Sequence, residues 1–253
     1  IVICYRDDGN NDYGRAIVGT VSGTSISFGS PVAFESASTT YISAAYDSTN
    51  NKVVIAYRDG GNSNYGTAVV GTVSGTSISF GTPAIFEYDS TRYTSVAYDS
   101  NNQKVVIAYE DQANNNGEAI VGTVSGTSIS FGTRVIYESS NSTWNSAVYD
   151  PSNQKVVIAY RDGGNSNYGT AIVGTVSGNS ISFGSAVEFN SASTSGISAV
   201  YDSTNDKVVI AYRASGAIGT ASVGTVSGTS ISFGSAVLFN DASTDRISTT
   251  YDS

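Results

Sequence analysis

The chain has 253 residues, a formal net charge of −9 and no histidine. Acidic charge with no Lys/Arg cluster argues against nucleic acid and membrane surfaces as partners, and no apolar run reaches the roughly 20 residues of a membrane helix. Without histidine there is no Ser-His-Asp triad and no His-ligated zinc, so we expect no catalytic residues, no metal and no cofactor.

Two phrases recur along the whole chain. Val-Gly-Thr-Val-Ser-Gly-(Thr/Asn)-Ser-Ile-Ser-Phe-Gly begins at Val18, Val70, Val121, Val173 and Val223. A second phrase, (Val/Ile)-Val-Ile-(Ala/Cys)-Tyr, begins at Ile1, Val53, Val105, Val156 and Val208, which are steps of 52, 52, 51 and 52 residues. Repeats of this length with several short strands each are typical of a β-propeller.

Each repeat predicts four antiparallel strands, A to D. In a representative stretch these are Gly169 to Val176 (C) and Ile181 to Phe189 (D) of the fourth repeat, followed by Ile197 to Tyr201 (A) and Val208 to Arg213 (B), which begin the next. A glycine within strand D predicts a bulge that bends the outer strand, at Gly29, Gly81, Gly132, Gly184 and Gly234. The tyrosine–aspartate pair after strand A predicts a structural turn capped by the aspartate.

The two ends of the chain predict how the ring closes. The sequence opens on a strand B, Ile1 to Arg6, and stops just after a strand A, Ile247 to Tyr251. Pairing of these strands gives every repeat four strands and removes the exposed sheet edges. We therefore expect residues 1–253 to form one all-β, five-bladed propeller domain. A fragment of a longer array is the alternative.

In blade number and repeat length the chain resembles the five-bladed propeller lectins of the tachylectin-2 type. None of that family's repeat motifs occurs here, so no binding residue carries over. The chain also resembles repetitive propeller segments of uncharacterised microbial and phage surface proteins.

The B–C loops are the first candidate site. Three of them combine arginine, aspartate, asparagine and tyrosine, the donors, acceptors and flat rings that bind sugars. The candidate ligand-binding residues are Arg6, Asp7, Tyr13, Arg58, Asp59, Asn62, Tyr65, Arg161, Asp162, Asn165 and Tyr168. The loops of the third and fifth repeats depart from this pattern. The alternative is structural: the aspartate pins the turn and the arginine pairs with a neighbouring blade.

The D–A linkers are the second candidate site. Their last two positions vary between repeats and contain Tyr41, Tyr93 and Trp144, which we expect to form a stacking rim near the axis. Drift in unconstrained loops is the alternative. The oxygens of Asp7, Asp8, Asn10 and Asp12 are of the kind that calcium prefers, but the closing bidentate glutamate of an EF-hand is missing.

These features together predict a non-catalytic, extracellular or surface-located binding protein that recognises carbohydrate through several sites on one face. The alternative is a structural subunit of a fibre or adhesin, which associates with itself or other proteins. Neither interpretation involves nucleic acid or membrane insertion.

Overall fold

The computed structural model describes residues 1–252, and it confirms an all-β fold of antiparallel strands. Within this range the only helical elements are two short 3₁₀ turns, Asp8–Asn10 and Ser215–Ala217. The 22 strands are β1 (Val2–Asp7), β2 (Tyr13–Ser22), β3 (Ser25–Phe28), β4 (Val32–Asp47), β5 (Lys52–Asp59), β6 (Tyr65–Ser74), β7 (Ser77–Phe80), β8 (Ala84–Asp99), β9 (Lys104–Asp111), β10 (Asn116–Ser125), β11 (Ser128–Phe131), β12 (Val135–Glu138), β13 (Ser142–Asp150), β14 (Lys155–Asp162), β15 (Tyr168–Ser177), β16 (Ser180–Phe183), β17 (Val187–Ser193), β18 (Ser195–Asp202), β19 (Lys207–Arg213), β20 (Gly219–Ser227), β21 (Ser230–Phe233) and β22 (Val237–Asn240).

Five similar units follow one another, each built around a hairpin of the predicted strands B and C. We number the units first to fifth by their hairpins, β1–β2, β5–β6, β9–β10, β14–β15 and β19–β20. In the middle units both faces of strand B are buried, because its valines and isoleucines are covered by a neighbouring unit on either side.

Neighbouring units pack through one repeated apolar interface. Between the second and third units, Val54, Val70 and Phe86 contact Ile107 and Tyr109. The ring centroids of Phe86 and Tyr109 are 5.1 Å apart, and the other interfaces repeat this pair with Phe34–Tyr57, Tyr137–Tyr160 and Phe189–Tyr212. Burial of a ring of this size contributes about 1.5–3 kcal/mol, so these interfaces hold the units together.

The outer strand D is broken in two, and this corrects the predicted bulge at its glycine. In the first unit the break lies between β3 and β4, and Gly29 donates its N–H to the carbonyl of Val18. A Cβ on Gly29 would lie 1.9 Å from the carbonyl oxygen of Thr76 in the next unit. The glycine therefore permits close approach of two units. Gly234, in the fifth unit, has no neighbour closer than 3.9 Å to such a Cβ.

The inner strand A of each of the second to fifth units pairs with its strand B, as predicted. These inner strands are the second halves of β4 and β8, then β13 and β18. Each also bonds to the next inner strand, because a serine Oγ accepts an N–H from it at 2.9–3.1 Å. The pairs are Ser43 with Val96, Ser95 with Ala147, Ser146 with Ala199 and Ser198 with Thr249.

The prediction of a last strand from Ile247 to Tyr251 is wrong. Residues 241–252 carry no strand, and β1 pairs only with β2 in the part of the chain that the structure describes. Thr249 nevertheless lies beside Ser198 in the place of the next inner strand. Because this segment has no ladder partner, it lacks strand hydrogen bonds, and closure of the ring through β1 stays a prediction.

The turns between strands A and B form one end of the molecule, which we call the turn face. Asp47, Asp99, Asp150 and Asp202 each accept backbone N–H groups of their own turn, as predicted. The Nδ2 of a following asparagine donates to the second carboxylate oxygen at 2.7–2.9 Å. The opposite end, with the B–C loops and D–A linkers, is called the loop face.

Candidate functional site

The loop face is built from B–C loops and D–A linkers that bond to each other. Gly60 donates its N–H to the carbonyl of Ser38, and Gly163 donates to Asn141, each at 2.8 Å. These bonds hold each B–C loop against the linker that enters the same unit. All the predicted site residues lie on this face, but they fall into an outer group and a group near the inner strands.

The aspartates of the Arg-Asp pairs belong to the outer group and cap their loops. Asp59 is 7% exposed, and its Oδ1 accepts the N–H of Gly61 at 2.9 Å. Asp162 likewise accepts from Gly164 and Asn165. Burial is the main cause that raises the pKa of Asp59, although the loop N–H groups lower it. This geometry is the one expected for a turn-pinning aspartate, and a direct contact of Asp59 or Asp162 with ligand stays a prediction.

The tyrosines and asparagines of the loops also lie towards the outer edge. Tyr65 stands opposite Asp59 in the hairpin and packs edge-on against the exposed Tyr88, with centroids 5.7 Å apart. Asn165 donates its Nδ2 to Glu188 on strand β17 at 2.7 Å. Tyr13 and Tyr168 likewise stand opposite Asp7 and Asp162 in their hairpins. Asn62 donates its backbone N–H to the carbonyl of Asp59 at 3.2 Å.

The first loop differs because its acids are paired with arginines. The guanidinium of Arg6 lies 2.6 Å from Asp8 and 3.6 Å from Asp12, and Arg15 lies 3.0 Å from Asp7. The Arg6 ion pair lowers the pKa of the exposed Asp8. Because cations already hold these carboxylates, the loop is a poor calcium site. No group of three potential metal-ligating His, Cys, Asp or Glu side chains occurs in residues 1–252.

The arginines one residue before the ends of strands β5 and β14 lie near the inner strands, opposite the D–A linkers. Arg58 stands across from Thr40, and Arg161 across from Thr143. The Nε of Arg58 is buried without a hydrogen-bond partner. Burial, together with the nearby Arg92, lowers the pKa of Arg58. The Nε of Arg161 donates to Oδ1 of Asn167 at 2.9 Å.

The three predicted aromatics form one continuous row. The ring centroids of Tyr41 and Tyr93 are 5.1 Å apart, and those of Tyr93 and Trp144 are 5.4 Å apart. The predicted aromatic rim therefore exists as a contact between three successive units. All three side chains are half-buried.

The backbone under this row is strained. Tyr41, Tyr93 and Trp144 have φ of 51°, 48° and 57° because each sits in a bulge between strands A and B. Bulky residues at positive φ cost of order 1–3 kcal/mol and concentrate at functional sites. The equivalent position of the fifth unit is Gly196, with φ of 57°, and that of the C-terminal segment is Arg246, with φ of 55°.

Clefts run between units beside this row. One of about 430 Å³ lies between the third and fourth units and is lined by Arg92, Tyr93, Glu110 and Arg161 among others. Another, of about 350 Å³, is lined by Arg161 and Arg213. A third, of about 460 Å³, contains Arg6, Tyr41 and Arg246.

Four of these cleft residues were not among the predicted site residues. Arg92 and Arg246 occupy the variable end of the D–A linkers, while Glu110 and Arg213 stand where the other repeats have Arg58 or Arg161. For Arg92, Glu110 and Arg246 the signal available in the sequence was a departure from the repeat at a position that faces a cleft, whereas Arg213 keeps the arginine of Arg58 and Arg161.

A separate acid pair marks the outer edge between the second and third units. The hydroxyl of Tyr109 lies 3.1 Å from Glu87 and 3.0 Å from Glu118, and both glutamates are 2% exposed. Burial raises the pKa of Glu118, and Arg134 opposes that rise. Arg134 also bonds Glu87. Because Glu118 and Arg134 replace threonine and proline of the second repeat together, their charges compensate each other.

Comparisons with known proteins bear on the fold. No protein-family model matches the chain, and no curated protein matches its sequence. An arginine-to-alanine triple mutant of AofleA from Arthrobotrys oligospora matches with a TM-score of 0.59 and 10% identity, over 98% of this chain and 73% of that chain. The SapL1 lectin in complex with α-methyl fucoside matches with a TM-score of 0.50 and 12% identity, over 94% of this chain and 80% of that chain.

A third solved structure is more distant. The exo-β-1,3-galactanase from Phanerochaete chrysosporium, with β-1,3-galactotriose, has a TM-score of 0.47 and 10% identity, over 79% of this chain and 49% of that chain. The two stronger matches support a lectin-like propeller fold. At these identities they concern the fold alone. Within residues 1–252, no helix has the length and apolarity that crossing a bilayer requires.

Proposed function

We propose that the chain is a five-bladed propeller lectin, which binds carbohydrate on its loop face through several clefts and has no catalytic role. The observation that carries this proposal is the row of Tyr41, Tyr93 and Trp144, held at positive φ beside the arginine-lined clefts. Aromatic faces stack on the apolar faces of sugar rings, and arginine donates to hydroxyl oxygens in a fixed fork.

Several clefts on one rigid face favour multivalent recognition. Each cleft is open and small, so a single one would bind a sugar weakly. Repetition around the face raises the effective concentration for a branched or clustered glycan without any new contact. The glycan complex of the SapL1 lectin supports the same ligand class.

Ring closure belongs to this proposal, and the two end units support it. On the first unit Ile3 and Ile26 are 42% and 45% exposed, while their equivalents Ile55 and Ile78 are 0% and 4% exposed. On the fifth unit Val223 and Phe239 are 46% and 55% exposed, and their equivalents in the second unit are buried. These are the two halves of the interface that the middle units repeat, so closing the ring would bury both.

The proposal places the protein outside the cell or on a surface, where glycans are displayed. Support comes from composition alone: one cysteine, acidic charge and abundant serine, threonine, asparagine and glycine. The absence of histidine supports a non-catalytic role. Turnover of chromogenic glycosides by the pure protein would contradict that part of the proposal.

A structural subunit is the second candidate, and the same exposed end faces favour it. If the ends of two copies meet instead of the ends of one chain, the unit becomes a link in a fibre. Two glycine variants separate the candidates. Gly81→Val would place a side chain against the carbonyl oxygen of Thr127 in the neighbouring unit, whereas Gly234→Val adds one at the equivalent position of the fifth unit, where its Cβ meets no neighbour closer than 3.9 Å in residues 1–252. A closed monomer requires both variants to lose stability to a similar degree, and light scattering should show one mass at all concentrations. A mass that grows with concentration, and falls in Gly234→Val, would favour the fibre.

The proposed lectin activity is tested on a glycan array with and without calcium. The variant Tyr93→Gly/Trp144→Gly installs the residue that the fifth unit already carries at this position, so it should fold. We expect specific glycan binding by the natural sequence, independent of calcium, and its loss in the variant. A folded protein that binds no glycan, or whose binding survives the double substitution, would overturn the proposal.

A further inference from the structure

The arginines of this acidic chain are unevenly paired. Three of the eight, Arg6, Arg15 and Arg134, lie in ion pairs. The other five have no carboxylate within 4.0 Å among residues 1–252, and all five lie on the loop face: Arg58, Arg92, Arg161, Arg213 and Arg246. In a chain with net charge −9, an unneutralised group of cations on one face indicates an anionic partner.

Two of these arginines each have one desolvated donor atom without a partner. The Nε atoms of Arg58 and Arg92 are buried and have no hydrogen-bond partner. The two side chains are also close enough that the charge of Arg92 lowers the pKa of Arg58, after the larger effect of burial. An unpaired buried donor destabilises the folded protein, and an anion bound at Arg92 would give that donor a partner.

An unsatisfied acceptor lies in the same place. Glu110 is 2% exposed, and its Oε2 is buried with no hydrogen-bond partner. It stands across from Arg92 in the ladder, yet their charged groups are more than 4.0 Å apart. Glu110 lines the cleft of about 430 Å³ together with Arg92, Tyr93 and Arg161. The cleft thus offers an unpaired donor on Arg92 and an unpaired acceptor on Glu110 beside one aromatic ring.

We propose that the cleft between the third and fourth units binds a sugar that carries a carboxylate, with Arg92 and Arg161 holding the carboxylate and Glu110 accepting a sugar hydroxyl. This inference rests on the proposed lectin function and specifies its ligand class. A carboxylate matches the planar fork of a guanidinium. A neutral sugar would leave two cations without a counter-charge, whereas a simple anion would leave Glu110 without a donor.

The aromatic row completes the pocket on one side. Tyr93 lies between Tyr41 and Trp144, and its hydroxyl is close enough to Glu110, Arg92 and Arg161 for their charges to influence its pKa, which burial raises. The ring therefore stands beside the charged groups and can support the sugar face while they bind its polar edge.

The test is an array of glycans ending in glucuronate, galacturonate or sialate, each beside the same glycan with its carboxyl group reduced to an alcohol. The proteins are the natural sequence, Arg161→Gln, and the control Lys155→Gln. Lys155 and Arg161 lie near opposite ends of β14, so the two variants remove the same charge from the same strand. Thermal melts establish that each protein is folded.

We expect one or more acidic glycans to bind at least about tenfold more tightly than their reduced counterparts, since hydrogen bonds to charged groups are the strong ones. Arg161→Gln should remove that preference, Lys155→Gln should keep it, and added salt should weaken it. Binding of reduced and acidic glycans with equal affinity would overturn the inference and leave the lectin function standing. No binding to any glycan would overturn both.

Discussion

The two ends of the strands show opposite chemistry. On the turn face every unit from the second to the fifth uses the same aspartate to bond its own turn, and the following asparagine completes the capping. On the loop face the residues differ between units, and buried polar atoms of Arg58, Arg92 and Glu110 have no partner. Residues that repeat in every unit and have their hydrogen bonds satisfied are typical of a scaffold. Residues that vary between units and leave buried polar atoms unpaired are typical of a surface that is completed by a ligand.

The largest expected effect lies on the turn face, with Asp99→Ala. Asp99 is 0% exposed and accepts the N–H groups of Asn101 and Asn102 at 3.0 Å. Its loss leaves several donors unpaired, so we expect the free energy of unfolding to fall by about 2–3 kcal/mol. Urea unfolding measures this, with Asp202→Ala as a less buried comparison that should lose less. Glycan binding at saturating folded protein should not change.

A smaller effect of opposite sign is expected on the loop face, with Glu110→Gln. Burial is the main cause that raises the pKa of Glu110 above its ordinary value of 4.5, and Asp111 adds to it while Arg92 opposes it. Because the folded state holds this proton more tightly than the unfolded state, the stability from Glu110 is full below pH 4.5 and is lost as pH rises through the raised pKa.

The amide in Glu110→Gln carries no charge at any of these pH values, so the variant does not lose stability at this site as pH rises. We expect the variant to be more stable by about 1 kcal/mol at pH 7, the order of one unpaired buried group, and unchanged at pH 4. Unfolding curves at the two pH values measure it. A variant that is less stable at pH 7 would show that Glu110 is a satisfied structural group, and the contrast between the two faces would fail. If the variant is more stable and binds acidic glycan less well, Glu110 contributes to binding at the expense of stability.

Much of the scaffold could be predicted from the sequence, because strands B and C and the aspartate turns are written in the same residues five times. The role of Gly29 could not, since the oxygen it must approach belongs to Thr76 in the next unit. The residues from Ile247 to Tyr251 follow the pattern of the other A strands. A strand also needs a hydrogen-bonded partner strand, and whether this segment has one depends on the position of β1.

Part of the candidate site could also be predicted from the repeat. The repeat pointed to Arg58 and Arg161, and the variable linkers pointed to Tyr41, Tyr93 and Trp144. The structural alternative for Asp59, a cap on its own loop, could also be foreseen, but strand alternation does not reveal that Arg92 and Glu110 meet Tyr93 in one cleft. Residues that break a repeat are the useful signal, but only the packing of two units shows which of them share a space.

The smallest expected effect is the most informative for the comparison, with Trp144→Gly. The φ of 57° at Trp144 costs about 1–3 kcal/mol that glycine avoids. The ring also gains a contact with Tyr93 worth about 0.5–1.5 kcal/mol, and its half-buried packing against the apolar core contributes about 1 kcal/mol more. These terms have opposite signs and similar sizes, so we expect the free energy of unfolding to change by less than about 1 kcal/mol. Thermal melts check this beside Tyr160→Gly, which removes a fully buried ring and should unfold far more easily. A large loss in Trp144→Gly would mean that the aromatic row holds the units together. A negligible loss means that the row adds little to the fold, and its persistence at a strained backbone is then explained by what it binds.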